Sequence, residues 1–145
     1  MSKDMINTLN QMVADMTVFY QKLRHYHWNV KGPQFFMLHE KFELIYTEVG
    51  DVIDELAERI VGLDGVPLHT LASMLEISSL KEDSENPKPE LMVKRTVEDI
   101  EAVVQKLQAG IEGAEDAVDR TTANLLDGIK DGLEGHLWML KSWQA

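Results

Sequence analysis

Apolar residues recur at intervals of three and four along four stretches of this chain, which is the period of an α-helix with one buried face. The first stripe, Ile6, Leu9, Val13, Met16, Tyr20 and Leu23, predicts a helix over roughly residues 4–30. The second, Leu38, Phe42, Ile45, Val49, Val52, Leu56, Ile60 and Leu63, predicts a helix that follows Pro33, a residue suited to a first turn, and stops at Gly65-Val66-Pro67. The third begins after Pro89 and carries Val93, Val97, Ile100, Val104, Leu107 and Ile111, with Gly110 and Gly113 expected to weaken its end. The fourth, over about residues 120–143, holds Leu125, Ile129, Leu133 and Leu137 in register. It also carries Gly128, Gly132 and Gly135, each costing about 1 kcal/mol against Ala in a helix interior.

Residues 69–86 form the one long connection: a short amphipathic piece at 70–76, then a polar run at 78–86. A crossover of that length between helices two and three is what a four-helix bundle with one long connection needs. Strand-like alternation of useful length is missing, so the expected class is all-α.

Composition narrows the function. The chain has 145 residues, a length suited to one domain over 1–145. It has no Cys, which excludes a disulfide framework, a zinc finger and a thiol nucleophile. Its apolar runs are too short to span a bilayer. The start, Met1-Ser2-Lys3-Asp4-Met5, lacks the basic and then apolar profile of a secretory signal. The expected location is the cytoplasm, with association to a nucleoid left open. With 25 acidic and 14 basic residues the formal charge is −11, which argues against unaided nucleic-acid binding and makes metal cations natural partners.

Helix two carries the chemistry. With His39 at zero and ~100° per residue, Glu43 falls at about 40°, Asp54 at about 60° and Glu58 at about 100°. The apolar stripe clusters at about −90°. One narrow face away from the core therefore holds a His and three carboxylates. Each of His39/Glu43 and Asp54/Glu58 has the one-turn spacing that lets two side chains grip one cation. Such a face is ordinarily solvated charge, and among 25 acidic residues such pairs arise by chance. Phe36, Val61, Gly50 and Ala57 lie on the same face, however, and that composition suits a contact surface. His39 and Asp54 are about 22 Å apart along the helix, so the two pairs cannot share a centre within one chain. Two copies packed antiparallel about a two-fold axis would bring them together, twice per dimer.

The run His27-Trp28-Asn29-Val30-Lys31-Gly32-Pro33, then Phe35-Phe36-Met37-Leu38-His39-Glu40-Lys41-Phe42-Glu43, then Asp54-Glu55-Leu56-Ala57-Glu58-Arg59, resembles the Dps family of mini-ferritins. His136-Leu137-Trp138-Met139-Leu140 looks like that family too, and the resemblance covers nearly the whole chain. It implies a ferritin-like four-helix subunit with a short extra helix in the long connection, and a hollow homododecameric shell. It also implies ferroxidase centres between two-fold related subunits. The implied iron ligands are His27, His39 and Glu43 from one subunit with Asp54 and Glu58 from its partner; the family has Asp or Glu at the position of Glu43. The implied activity is oxidation of Fe(II), preferentially by hydrogen peroxide, with storage of Fe(III) mineral and protection against oxidative stress. Zn or Mn would compete for the same ligands.

Taken alone, His27 continues the first helix's stripe and reads as a core histidine; only the resemblance makes it a ligand. Trp28 looks like the family's tryptophan near the iron site, a radical quencher or a space filler. His25 reads as a supporting or surface residue, and His69 and His136 as structural. Asp119, Asp127 and Asp131 suit either an acidic pore through which iron enters or an ordinary solvated face. An ordinary ferritin site inside one bundle uses Glu-x-x-His, and no Glu here precedes a His by three. A DNA-binding variant would need a basic terminus, yet residues 1–10 hold only Lys3.

Overall fold

The computed structural model describes residues 2–145, and among these there are five helices and no strand. Four are long: α1 (Ser2–Asn29), α2 (Phe35–Gly62), α4 (Pro89–Asp116) and α5 (Arg120–Gln144). The fifth, α3 (Leu71–Ile77), is a short helix in the connection between α2 and α4, capped by the Thr70 hydroxyl accepting from Ser73 N–H. α1 packs along α2 and α4 along α5; the two hairpins meet mainly through α1 and α4, while α2 and α5 touch lightly. No helix is long and apolar enough to cross a membrane.

Most of the expected α1 and α2 stripes fill the interior, with Leu9, Leu23, Phe42, Ile45, Leu56 and Ile60 fully buried, while Ile6, Tyr20, Val52 and Leu63 are half-buried at its edge. Three details differ from expectation. Pro33 lies in a turn before α2, because Gly32 takes φ +108° and reverses the chain, with Phe35 N–H bonded to Gly32 O at 3.0 Å. α4 continues through Gly110 and Gly113. At Gly110 side chains of α1 and α5 both crowd α4: a Cβ there would lie 2.7 Å from Met12 Cε and 3.0 Å from Leu126 Cδ1. The missing side chain gives room to those two side-chain ends, and the helix continues intact. Finally, Val104, Leu125 and Leu137 are only half-buried, while Val103, Leu126 and the polar Thr96, Thr122 and His136 line the interior.

The long connection is held to α1 by polar side chains. Buried Asp15 accepts hydrogen bonds from Ser79 N–H at 2.7 Å and from the hydroxyls of Ser78 and Ser79. Tyr26 donates its hydroxyl to Asp83 at 2.5 Å, Arg95 donates to the same carboxylate at 2.8 Å, and His25 Nε2–H donates to Glu85 O at 2.6 Å. Burial opposes ionisation of Asp83, but the donors from Tyr26 and Arg95 outweigh it and hold the carboxyl below its ordinary range. The polar run at 78–86 is therefore anchored loop. Lys22 and Asp99 add an ion pair of 2.6 Å between α1 and α4, with both side chains largely buried.

Candidate metal centre

His27 sits in the last turn of α1 and His39 in the second turn of α2, on either side of the Gly32 turn. The last carbonyls of a helix lack intrahelical donors. His39 supplies one: its Nδ1–H donates to His27 O at 2.7 Å, and His27 Nδ1–H donates to His39 O at 2.6 Å. This crossed pair stacks the two imidazoles 3.8 Å apart at 11°. With each Nδ1 occupied as a donor to a carbonyl, Nε2 is the ring nitrogen left to face a metal.

Glu43, one turn after His39, brings a carboxylate oxygen to 3.6 Å from His27 Nε2, too long for a hydrogen bond. Ligand atoms of His27, His39 and Glu43 all lie within 4.8 Å of one another, and no other such cluster of three occurs among the described residues. Two imidazole nitrogens and a carboxylate oxygen thus converge on one point, a donor set suited to a cation. Nitrogen and oxygen donors together suit iron, manganese or zinc. His27 is buried, His39 half-buried and Glu43 exposed, so the cluster opens outward. It opens beside a cavity of about 780 Å³ lined by Phe36, His39, Glu43, Leu44, Met139 and Trp143.

Neighbours of the triad were not singled out in the sequence. Phe35 stacks on His39 at 4.7 Å and 20°, and Tyr46 meets His27 edge-on at 5.4 Å. Burial, then the Glu43 carboxylate, push the Tyr46 phenol up and keep it neutral. The spacing of four between Phe35 and His39 was the available signal.

Asp54 and Glu58 do not join this cluster. They are exposed, farther along the same unbroken α2, and pair with each other. The hydrogen bond with Asp54 and its charge raise the Glu58 carboxyl above its ordinary value. The structure therefore brings together three of the five expected ligands and leaves two as a separate pair.

The remaining candidates resolve individually. Trp28 is exposed beneath the Arg24 guanidinium, 4.9 Å from its ring. His25 bonds the connection and stands outside the cluster. His69 Nδ1–H donates to Pro67 O. His136 is structural: buried, it accepts from Lys41 Nζ at 2.9 Å on Nδ1 and donates Nε2–H to Glu48, tying α5 to α2. Asp119 caps α5 by accepting from Thr122 N–H and takes a bond from Arg59 at 3.1 Å. This leaves Asp127 and Asp131 as the exposed members of that acidic set.

A sequence model of the ferritin-like domain matches residues 6–145. The chain is 46% identical over 143 residues to DNA protection during starvation protein 2 of Bacillus anthracis, covering 99% of this chain and 98% of that one. A crystal structure of a Dps protein from Bacillus brevis superposes with a TM-score of 0.97 at 43% identity, covering 99% of this chain and 97% of the other. The chain belongs to the Dps family of ferritin-like proteins. A Dps protein from Vibrio cholerae O1, described as a member of a broad superfamily of ferritin-like diiron-carboxylate proteins, matches with a TM-score of 0.97 at 34% identity over 99% of this chain and 91% of that one. The Dps fold accounts for the short helix α3 in the connection, which distinguishes this subunit from a plain four-helix bundle.

Proposed function

We propose that this Dps-family protein is a ferroxidase and iron store. Ferrous iron, the substrate, binds where His27, His39 and Glu43 of one subunit meet Asp54 and Glu58 of a two-fold related copy. The observation that carries this reading is the convergence of two imidazole nitrogens and a carboxylate at the end of the α1–α2 hairpin. The separation of about 22 Å between His39 and Asp54 along one helix keeps the two pairs out of a single intrachain centre, which supports a second carboxylate pair supplied by another subunit. The exposed Phe36 and Val61 on the same face of α2 support a contact there.

The residues divide the work. The imidazoles supply neutral donors of fixed direction. The carboxylates stabilise Fe(III) over Fe(II), because the more highly charged, harder cation gains more from anionic oxygen. Two ferrous ions supply the two electrons that reduce one hydrogen peroxide, the preferred oxidant, to water. The Fe(III) product collects as mineral inside a shell of twelve subunits in the cytoplasm, and Zn or Mn compete for the same ligands. Consuming ferrous iron and peroxide together removes the reagents of hydroxyl-radical formation, so protection of DNA is chemical and needs no direct binding.

Anaerobic ferrous titration followed by peroxide, read by absorbance and oxygen uptake, tests this. Rapid oxidation with iron retained through a desalting column is expected. Protein that neither accelerates oxidation nor retains iron overturns the proposal.

A further inference from the structure

We propose that Phe35 is a positioning residue for the imidazole pair, an inference that rests on His27 and His39 being ligands. Four rings stand in a row: Phe35 on His39 at 4.7 Å and 20°, His39 on His27 at 3.8 Å and 11°, and Tyr46 edge-on to His27 at 5.4 Å and 78°. His39 is the inner ring that depends on a residue with no bond of its own to the site. The crossed hydrogen bonds hold one atom of each imidazole, Nδ1, and a bond to a carbonyl tolerates a broad range of directions. Rotation about the bond that carries the imidazole is soft, since such sp³–sp² torsions have shallow wells. A ring anchored only at Nδ1 can rock and swing its Nε2 away from the point it shares with His27 and Glu43. A flat surface on each side removes that freedom, and His27 covers only one side. Phe35 covers the other.

The placement is local to α2. Phe35 is its first residue and His39 lies one turn on, so the helix sets one ring over the other. The entrance of α2 has no side-chain cap at Gln34, and the Phe35 ring in its first turn stacks on the histidine. Its other neighbour, Phe36, meets it edge-on at 5.4 Å and points away, 83% exposed. Of the two adjacent aromatics, the first therefore serves the donors and the second faces outward. A ring at position 35 is required for its flat face, and an aliphatic side chain of similar bulk would not replace it.

The assembled protein as wild type, Phe35→Leu and Phe35→Tyr is titrated with Co(II) under anaerobic conditions, following the visible ligand-field bands, with assembly size checked by sedimentation. Loss of an orienting contact typically costs 10–100-fold in metal affinity, so Phe35→Leu is expected to bind Co(II) at least about tenfold more weakly. Phe35→Tyr should bind like wild type. Equal affinity in all three, or equal loss in both variants, overturns the proposal. Solid-state NMR of metal-free protein with isotopically labelled histidine gives a second readout. In wild type, His39 should be immobile in a single Nδ1–H tautomer, and in Phe35→Leu mobile. Should Phe35→Leu fail to assemble, Phe35→Met replaces it with the same expected loss and the same overturning outcomes, and a mobile or mixed-tautomer His39 in wild type also overturns the proposal. Wild type that binds no Co(II) and oxidises no iron instead overturns the ferroxidase reading itself.

Discussion

His27 and His39 each donate Nδ1–H to the other's backbone carbonyl, at 2.6 and 2.7 Å. The pair joins the last turn of α1 to the second turn of α2, so closing the hairpin and orienting the donors are one event. Both tautomers follow from backbone acceptors twelve residues apart in sequence, and both leave Nε2 free on the side of Glu43.

A shared site makes complementation possible. Variants His39→Ala/Glu43→Ala and Asp54→Ala/Glu58→Ala should each lose rapid iron oxidation alone. Dissociated, mixed and reassembled, half the dimers are hybrids with one intact centre of two, so about a quarter of wild-type activity should return. Hybrids confirmed by mass that remain inactive would show that the centre is not shared.

Duplex DNA should not bind directly at physiological salt. The chain carries −11, and binding to phosphate depends on basic residues releasing counterions. A mobility-shift assay at about 0.15 M salt without divalent cations should show free DNA. A shift under those conditions contradicts the prediction.

Acid should release the long connection first. The folded Asp83 carboxyl lies below its ordinary 3.8, held there against burial by Tyr26 and Arg95. A depressed group stabilises the fold above its ordinary value, and that stabilisation is lost as pH falls through the folded value. Asp99 has the opposite sign: burial raises its carboxyl despite Lys22, so its ionisation costs stability at neutral pH, and acid relieves that cost. Hydrogen exchange should therefore show loosening of residues 78–86 below about pH 4 before α4 opens. Asp83→Asn should remove this acid limb and destabilise the neutral protein by about 1–2 kcal/mol.

Val118 holds φ 58°, an unfavourable angle for a β-branched residue, because Asp119 N–H must reach Ala114 O at 2.8 Å to close the end of α4. Its side chain is exposed. Val118→Gly should raise stability by about 1 kcal/mol through relief of that strain. A denaturant midpoint that falls, with unchanged slope, would show that the Val side chain contributes contacts exceeding the strain.

The four long helices were legible because each needs one buried face, and that need leaves a period of three to four in the residues. The period locates a face only to within a neighbouring position. Thus Val104, Leu125 and Leu137 gave way to Val103, Leu126 and His136 in the interior. Gly110 looked like a weak point because the cost of glycine is local, whereas its benefit, room for Met12 and Leu126, comes from two other helices. The polar run at 78–86 carries no period. Three of its anchors, Asp15, His25 and Tyr26, lie on α1 more than fifty residues earlier, and a fourth, Arg95, lies on α4.

At the site, residue spacing alone places His39, Glu43, Asp54 and Glu58 on one face of a helix, with His39 and Asp54 too far apart to meet in one chain. Rise and rotation per residue suffice for that, because both are properties of a single helix. That His27 faces His39, that each ring is pinned by the other's carbonyl, and that Phe35 and Tyr46 complete the row came from packing. These features depend on how α1 is rotated against α2 and on backbone oxygens as acceptors. Side-chain patterning encodes the face of a helix, whereas the angle between two helices emerges only when the whole core packs.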